Sequence, residues 1–226
     1  MEGATRAPLR KRLAAEFAGT FALVAIGPGA AAATGGDPSF VRLCLVATVF
    51  GAVVAGSILA FGRASGSHIN PAVTLASAVR EQRLDAAAAS YIVIQVVAGL
   101  AAGGALLLVF RPGPGSAQLG STSLSATVSP VVGLALEFAG TFVLATVALS
   151  APKVFPSIAE QAAAVGLTLI VLIVLIGPST GASFNPVRSL GPAAAAAYAE
   201  NLWIYVAGPL AGGALAGLLA RPRLSS

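Results

Sequence analysis

Ser65-Gly-Ser-His-Ile-Asn70-Pro-Ala-Val-Thr74 runs through small residues into Asn-Pro, and Thr180-Gly-Ala-Ser-Phe-Asn185-Pro-Val-Arg-Ser-Leu-Gly-Pro192 does so again. Asn is favoured at a helix N-cap and Pro at the first helical position, where no N–H is needed and φ is preset. Each stretch therefore reads as an extended loop that becomes a helix at its Asn-Pro. The helix begun at Asn70 is expected to end near Arg80, and the one begun at Asn185 near Tyr198. At about 1.5 Å per residue neither can cross a hydrocarbon core about 30 Å thick, so both read as re-entrant half-helices.

Such an element needs a membrane, and the composition supplies the case for one. The chain is 57% hydrophobic and 9% charged, against about 25% charged in a soluble domain, too little to make a water-facing surface. The formal net charge of +5 does not point to nucleic acid, because the basic residues stand at the chain ends and between apolar runs, where they orient spans. With one cysteine, Cys44, and one histidine, His68, no internal disulfide, metal cluster or Ser-His-Asp triad is expected. Neither an enzyme nor a cofactor fits.

In chain order, Arg6, Arg10, Lys11 and Arg12 lead into an apolar run at 13–34 that exceeds the roughly 7 to 15 residues of a signal-peptide core and contains Glu16. It is expected to be a retained span. Further spans are expected at 40–61, 86–110, 131–151, 158–176 and 202–220, with a turn at 35–39 and a Pro, Gly, Ser and Thr-rich connector between 111 and 129. Gln95 is the one strongly polar residue of the third span.

The second half repeats the first. Glu16-Phe-Ala-Gly-Thr-Phe21 returns at Glu137-Phe142, Asn70 returns as Asn185, and Gly99-Leu-Ala-Ala-Gly-Gly-Ala-Leu106 returns as Gly208-Pro-Leu-Ala-Gly-Gly-Ala-Leu215. Three crossings per half force the halves into opposite orientations, an inverted repeat. The expectation is an all-α integral membrane protein of six transmembrane helices and two half-helices. It is expected to form one domain over 1–226, with a first repeat at 1–112, a connector at 113–129 and a second repeat at 130–226.

Non-helical backbone at membrane depth is tolerated where it is buried in protein or lines a water-filled cavity. The loops should therefore bound a pore. The carbonyls of Gly66, Ser67 and His68, and of Gly181 and Ser183, would offer acceptors, and the Asn70 and Asn185 amides would offer donors. The positive ends of both half-helix dipoles would meet at mid-membrane and disfavour cations. Ten basic residues on the side of the termini against two, Arg42 and Arg111, on the far side predict both termini in the cytoplasm. The Ala, Gly and Arg-rich composition suits a bacterial inner membrane.

Paired Asn-Pro boxes in an inverted repeat resemble the aquaporin or major intrinsic protein family over essentially the whole chain. The mechanism above is the one by which such channels are generally understood to select. The resemblance implies six tilted helices around one pore per subunit, a homotetramer, and Glu16 and Glu137 accepting hydrogen bonds from the loops. It places the boxes on Asn70, Pro71, Ala72 and on Asn185, Pro186, Val187, where Val187 replaces the family's alanine. It places the selectivity filter on Phe50, Ile173, Ala182 and Arg188. Phe50 and Arg188 match water-selective members, whereas Ile173 replaces their histidine. Val187 and the Trp203-Ile-Tyr-Val-Ala-Gly-Pro run look like plant nodulin-like intrinsic proteins, while Ser189 and Ala193 follow the water-channel pattern rather than the glycerol-facilitator one.

The function implied is passive passage of water and small neutral solutes, such as glycerol or neutral metalloid acids, without ions. A strict water channel is the alternative. A secondary transporter would need ion-coupling groups, for which the spans offer only Glu16 and Glu137, and a purely structural membrane protein of the same fold would show no permeability.

Overall fold

The computed structural model describes residues 7–35, 39–113 and 117–222, all helix, turn or loop. Arg6, Arg223 and most of the expected turn at 35–39 lie outside the described residues. The elements are α1 (Leu9–Ala33), α2 (Phe40–Ser65), α3 (Pro71–Glu81), α4 (Ala86–Val109), the single turn α5 (Ala117–Gly120), α6 (Pro130–Val154), α7 (Ile158–Thr180), α8 (Pro186–Ala196) and α9 (Ile204–Leu219). Among the described residues, five helices are apolar and long enough to cross a membrane: α1, α2, α4, α6 and α7. α9 is shorter than the span expected at 202–220. The chain enters it through tight turns in which Ile204 N–H donates to Asn201 and Tyr205 N–H to Leu202, so the crossing begins before the regular helix does.

Apart from α1 and α9, the long helices begin where a side chain takes an orphaned N–H. Ser39 accepts from Arg42, Asp85 from Ala87 and Ala88 and Ser129 from Val132, while Ser157 and Glu160 form a reciprocal capping box. The Ala88 and Ala87 N–H groups, with the Arg83 guanidinium, hold the exposed Asp85 carboxyl below its ordinary range. α2 and α7 run on to Ser65 and Thr180, past the expected ends at 61 and 176, and both stop at a glycine in the left-handed region, Gly66 at φ 90° and Gly181 at φ 78°. The first residue of each quoted stretch is thus the last of a helix. Similarly, α6 continues through Pro152 to Val154 rather than ending at 151.

Packing follows the inverted repeat. α1 lies on α4 as α6 lies on α9, and each half-helix docks on the opposite half, α3 on α9 and α8 on α4. Glycines make the second contact possible: a Cβ on Gly103 would run into the Gly191 carbonyl, and one on Gly217 into the Ala76 carbonyl. α2 and α7 cross on the pseudo-two-fold axis. There a Cβ on Gly51 would lie 2.7 Å from the Gly166 carbonyl oxygen, and one on Gly166 equally 2.7 Å from that of Gly51.

Candidate functional site

The site is built from two carboxylates outward. Glu16 and Glu137 are wholly buried on α1 and α6. A buried carboxylate persists only when its lone pairs are met, and here the loops meet them. Glu16 accepts from the Ser65 hydroxyl (2.7 Å) and His68 N–H (2.9 Å) on one oxygen, and from Ile69 N–H (2.7 Å) and the Gln95 amide (2.9 Å) on the other. Glu137 accepts from the Thr180 hydroxyl (2.7 Å), Ser183 N–H (3.0 Å) and Phe184 N–H (2.8 Å). A tyrosine closes each loop, with Tyr91 donating to the Ser65 carbonyl and Tyr205 to that of Thr180.

This anchoring holds left-handed residues that are not glycine: Ser67 (φ 48°) and Ile69 (φ 44°) in one loop, Ala182 (φ 48°) and Phe184 (φ 54°) in the other. Such conformations are uncommon away from glycine and persist where the surroundings over-determine them. The alternation turns successive peptide groups, and the N–H groups that face the glutamates are the ones hydrogen-bonded.

The two helix starts then meet. Asn70 caps α3 by accepting from Ala72 N–H, and Asn185 caps α8 by accepting from Val187 N–H. Each amide also crosses to the other loop: Asn70 donates to the Phe184 carbonyl at 2.8 Å and Asn185 to the Ile69 carbonyl at 3.0 Å. A primary amide carries two donors, so each asparagine retains one N–H beyond this cross-link.

Asn70 and Asn185 both line a cavity of about 530 Å³. It runs from Arg63, Ile158 and Gln161 at one end to Phe50, Ile173, Ala182 and Arg188 at the other. All four expected filter residues therefore share one wall-to-wall space, and all four are buried. Gly66, Ser67, His68 and Ser183 also line it. Gly181 does not, and packs beside Thr122 and Ser123 of the connector. Pro71, Ala72, Pro186 and Val187 stand off the cavity wall. Val187 fills the space above Gly99 of α4, its Cβ 3.1 Å from where a glycine Cβ would sit, so a residue larger than alanine is accommodated on the side away from the cavity.

Arg188 is 4% exposed. Its guanidinium stacks on the Phe50 ring at 4.8 Å and donates to the Gly120 carbonyl at 2.8 Å, while its Nε has no hydrogen-bond partner among the described residues. Gly120 is one residue that reading the chain missed. It ends α5, where Gln118 and Leu119 are also left-handed, and it lies so close to Pro28 that a Cβ would collide with that residue's backbone. Thr122 was missed as well; its hydroxyl pairs with Ser189 at 2.8 Å, and Ser189 in turn with Ser183 at 2.6 Å. The only signal for either was their place in a Gly, Ser and Thr-rich connector.

The family model described as major intrinsic protein matches residues 4–220. Among curated relatives, aquaporin NIP1-1 of Oryza sativa subsp. japonica is 35% identical over 218 residues, 94% of this chain and 74% of that protein. Aquaporin NIP6-1 of Arabidopsis thaliana is 36% identical over 209 residues, 90% of this chain and 66% of that protein. Among solved structures, the aquaglyceroporin from Plasmodium falciparum superposes with a TM-score of 0.80 over 93% of this chain and 94% of its own, at 22% identity. That likeness bears on the fold.

Proposed function

The chain belongs to the major intrinsic protein family, a family of membrane channels rather than enzymes, and from that premise we propose that it passes water and small neutral solutes while excluding ions and protons. The observation that carries the reading is the filter. Phe50, Ile173, Ala182 and Arg188 close one end of a continuous cavity, with an aromatic, an aliphatic, a methyl and one cation on its perimeter. Arg188, which lines the cavity, contributes the charge that repels cations. Ile173 replaces a hydrogen-bonding wall by a branched aliphatic one. Water entering there gives up a bond that nothing restores, whereas a solute with carbon, such as glycerol, or a neutral metalloid acid loses less.

Past the filter, the free amide hydrogens of Asn70 and Asn185 and the carbonyls of the loops relay the permeant. The amide donors and the positive ends of α3 and α8 lie at the same depth, which disfavours hydronium at the centre. The rival reading as an ion-coupled transporter is not supported, because Glu16 and Glu137 already accept hydrogen bonds from the loops on both oxygens and stand off the cavity wall. A homotetramer in the inner membrane, with both termini cytoplasmic, completes the proposal.

Stopped-flow measurements on proteoliposomes with water, glycerol and arsenous acid test it. Flux of water and at least one of the other two, unaffected by proton or sodium gradients, is the expected result. Water alone would replace this reading by a strict water channel, and no flux at all by a structural role.

A further inference from the structure

The connector holds Arg188 at two places. The Gly120 carbonyl takes the guanidinium, and two residues further on Thr122 reaches the backbone of the same arginine through a row of hydroxyls. Thr122 pairs with Ser189 at 2.8 Å, Ser189 with Ser183 at 2.6 Å, and Ser183 donates to the Asn185 carbonyl at 2.8 Å. That carbonyl also accepts the Arg188 N–H at 3.2 Å. Thr122, Ser183 and Ser189 are all buried. The Ser125 N–H donates to the Ser179 carbonyl at 2.9 Å, which keeps this part of the connector seated on the end of α7.

Counting hydrogens fixes the sense of the row. A hydroxyl has one hydrogen to give. Ser183 gives its own to a carbonyl, which can only accept, so Ser183 accepts from Ser189; Ser189, its hydrogen spent, accepts from Thr122. Thr122 is thus the first donor of a chain that ends on the carbonyl beneath Arg188. Hydrogen bonds that run in one sense polarise one another, and removing the first donor takes away the partner that sets the sense. Among the described residues the first half of the repeat has no such chain. Thr74 stands four residues after Asn70 as Ser189 stands four after Asn185, but it bonds Gln95 and the His68 ring, and Val73 occupies the position matching Arg188. A chain needed only to fold such a loop would be expected in both halves. This one accompanies the arginine.

We infer that Thr122 is a positioning residue of the filter, acting through Ser189 and Ser183 to fix the backbone at Arg188 so that the guanidinium lies against the Phe50 ring and the Gly120 carbonyl rather than across the cavity. The inference rests on the proposed reading of Phe50, Ile173, Ala182 and Arg188 as the filter. Thr122 stands off the cavity wall, so it touches no permeant and selects only through Arg188. With the chain broken, the guanidinium gains freedom to enter the cavity, which obstructs a solute of glycerol's bulk more than it obstructs water.

Glycerol and water permeabilities of the parent, Thr122→Val and Thr122→Ser in proteoliposomes test it, beside amide hydrogen exchange over residues 183–190 in detergent. Valine keeps the shape of threonine and removes the hydroxyl, whereas serine keeps the hydroxyl. Thr122→Val should lower the glycerol-to-water ratio about threefold or more and speed exchange over 183–190, while Thr122→Ser should match the parent in both. In an Arg188→Val background Thr122→Val should leave the ratio unchanged, because the group it positions is gone. A further drop of the same size there would make Thr122 merely structural and overturn the inference, and so would a folded Thr122→Val with the parental ratio. Circular dichroism and a size-exclusion profile matching the parent establish folding. Ser189→Ala breaks the same chain from α8 and takes the place of Thr122→Val if that variant aggregates. If the parent passes water alone, the solute reading of the filter fails, and the positioning is then judged on exchange: rates over 183–190 unchanged in Thr122→Val would overturn it as well.

Discussion

Arg188 joins the connector, α2 and the second loop in one side chain, and its surroundings fix what its loss should do. An arginine at membrane depth costs about 2.5 to 3.5 kcal/mol on insertion scales, and this one is held by a carbonyl, a ring face and the cavity. Arg188→Val should keep water flux measurable and admit a proton or cation leak, read with a pH-sensitive dye inside proteoliposomes. A variant as ion-tight as the parent would assign the barrier to the half-helix dipoles alone. Ile173→His should lower the glycerol-to-water ratio by adding a polar wall opposite Phe50, and an unchanged ratio would remove Ile173 from selection. The sequence located these residues only through the family resemblance, carried onto this chain by their distance from the two asparagines. It could not show that Arg188 leans on Gly120, because a carbonyl contact 68 residues away leaves no trace in side-chain type. Val187 was legible as a departure, but not its packing on Gly99, away from the cavity wall.

Half-helices are too short to be stable alone, so α3 and α8 depend on what they dock against. Their starts were readable from Asn-Pro, and the structure has both caps in place. The ends of α2, α6 and α7 were less so. Ser65 and Thr180 look like loop residues, yet each completes a helix because its hydroxyl must reach the buried glutamate. The role of the glutamates was legible through the family resemblance, but not their full partner sets, since Gln95 reaches Glu16 from another helix. Glu137→Gln would set an amide NH₂ against loop donors, and should lower stability by about 1 to 3 kcal/mol, seen as a lower unfolding temperature in detergent. At the α2 and α7 crossing the limit is steric. Gly51→Leu forces a side chain into the Gly166 backbone, and overpacking of this kind costs about 1 to 3 kcal/mol; a variant with the parental unfolding temperature would contradict the close crossing.

The molecule as a whole is asymmetric in charge although nearly symmetric in fold. Arg12, Arg63, Arg80, Arg83, Lys153 and Arg221 gather at the end where α1 begins and α2, α3, α6 and α9 finish. Several are tied into that end, Arg12 to Tyr91, Arg80 to the Leu149 carbonyl and Arg221 to the Val79 carbonyl, so the charge is part of the folded face rather than of trailing chain. Arg42 and Arg111 stand at the opposite end. An inverted repeat has no intrinsic up or down, because exchanging its halves reproduces the same backbone. The basic side chains are what break the tie, and loops rich in lysine and arginine stay in the cytoplasm. Cys44, the one thiol of the chain, is off the cavity wall, so mercurials should block weakly, and replacing it by serine should leave flux intact. In that Cys44→Ser background, Leu84→Cys at the basic end and Ala199→Cys at the other place one exposed thiol on each face. A membrane-impermeant maleimide added to spheroplasts should label Ala199→Cys and spare Leu84→Cys until the membrane is opened. The reverse pattern would put the α3 loop on the outside and turn the direction of the filter relative to the cell.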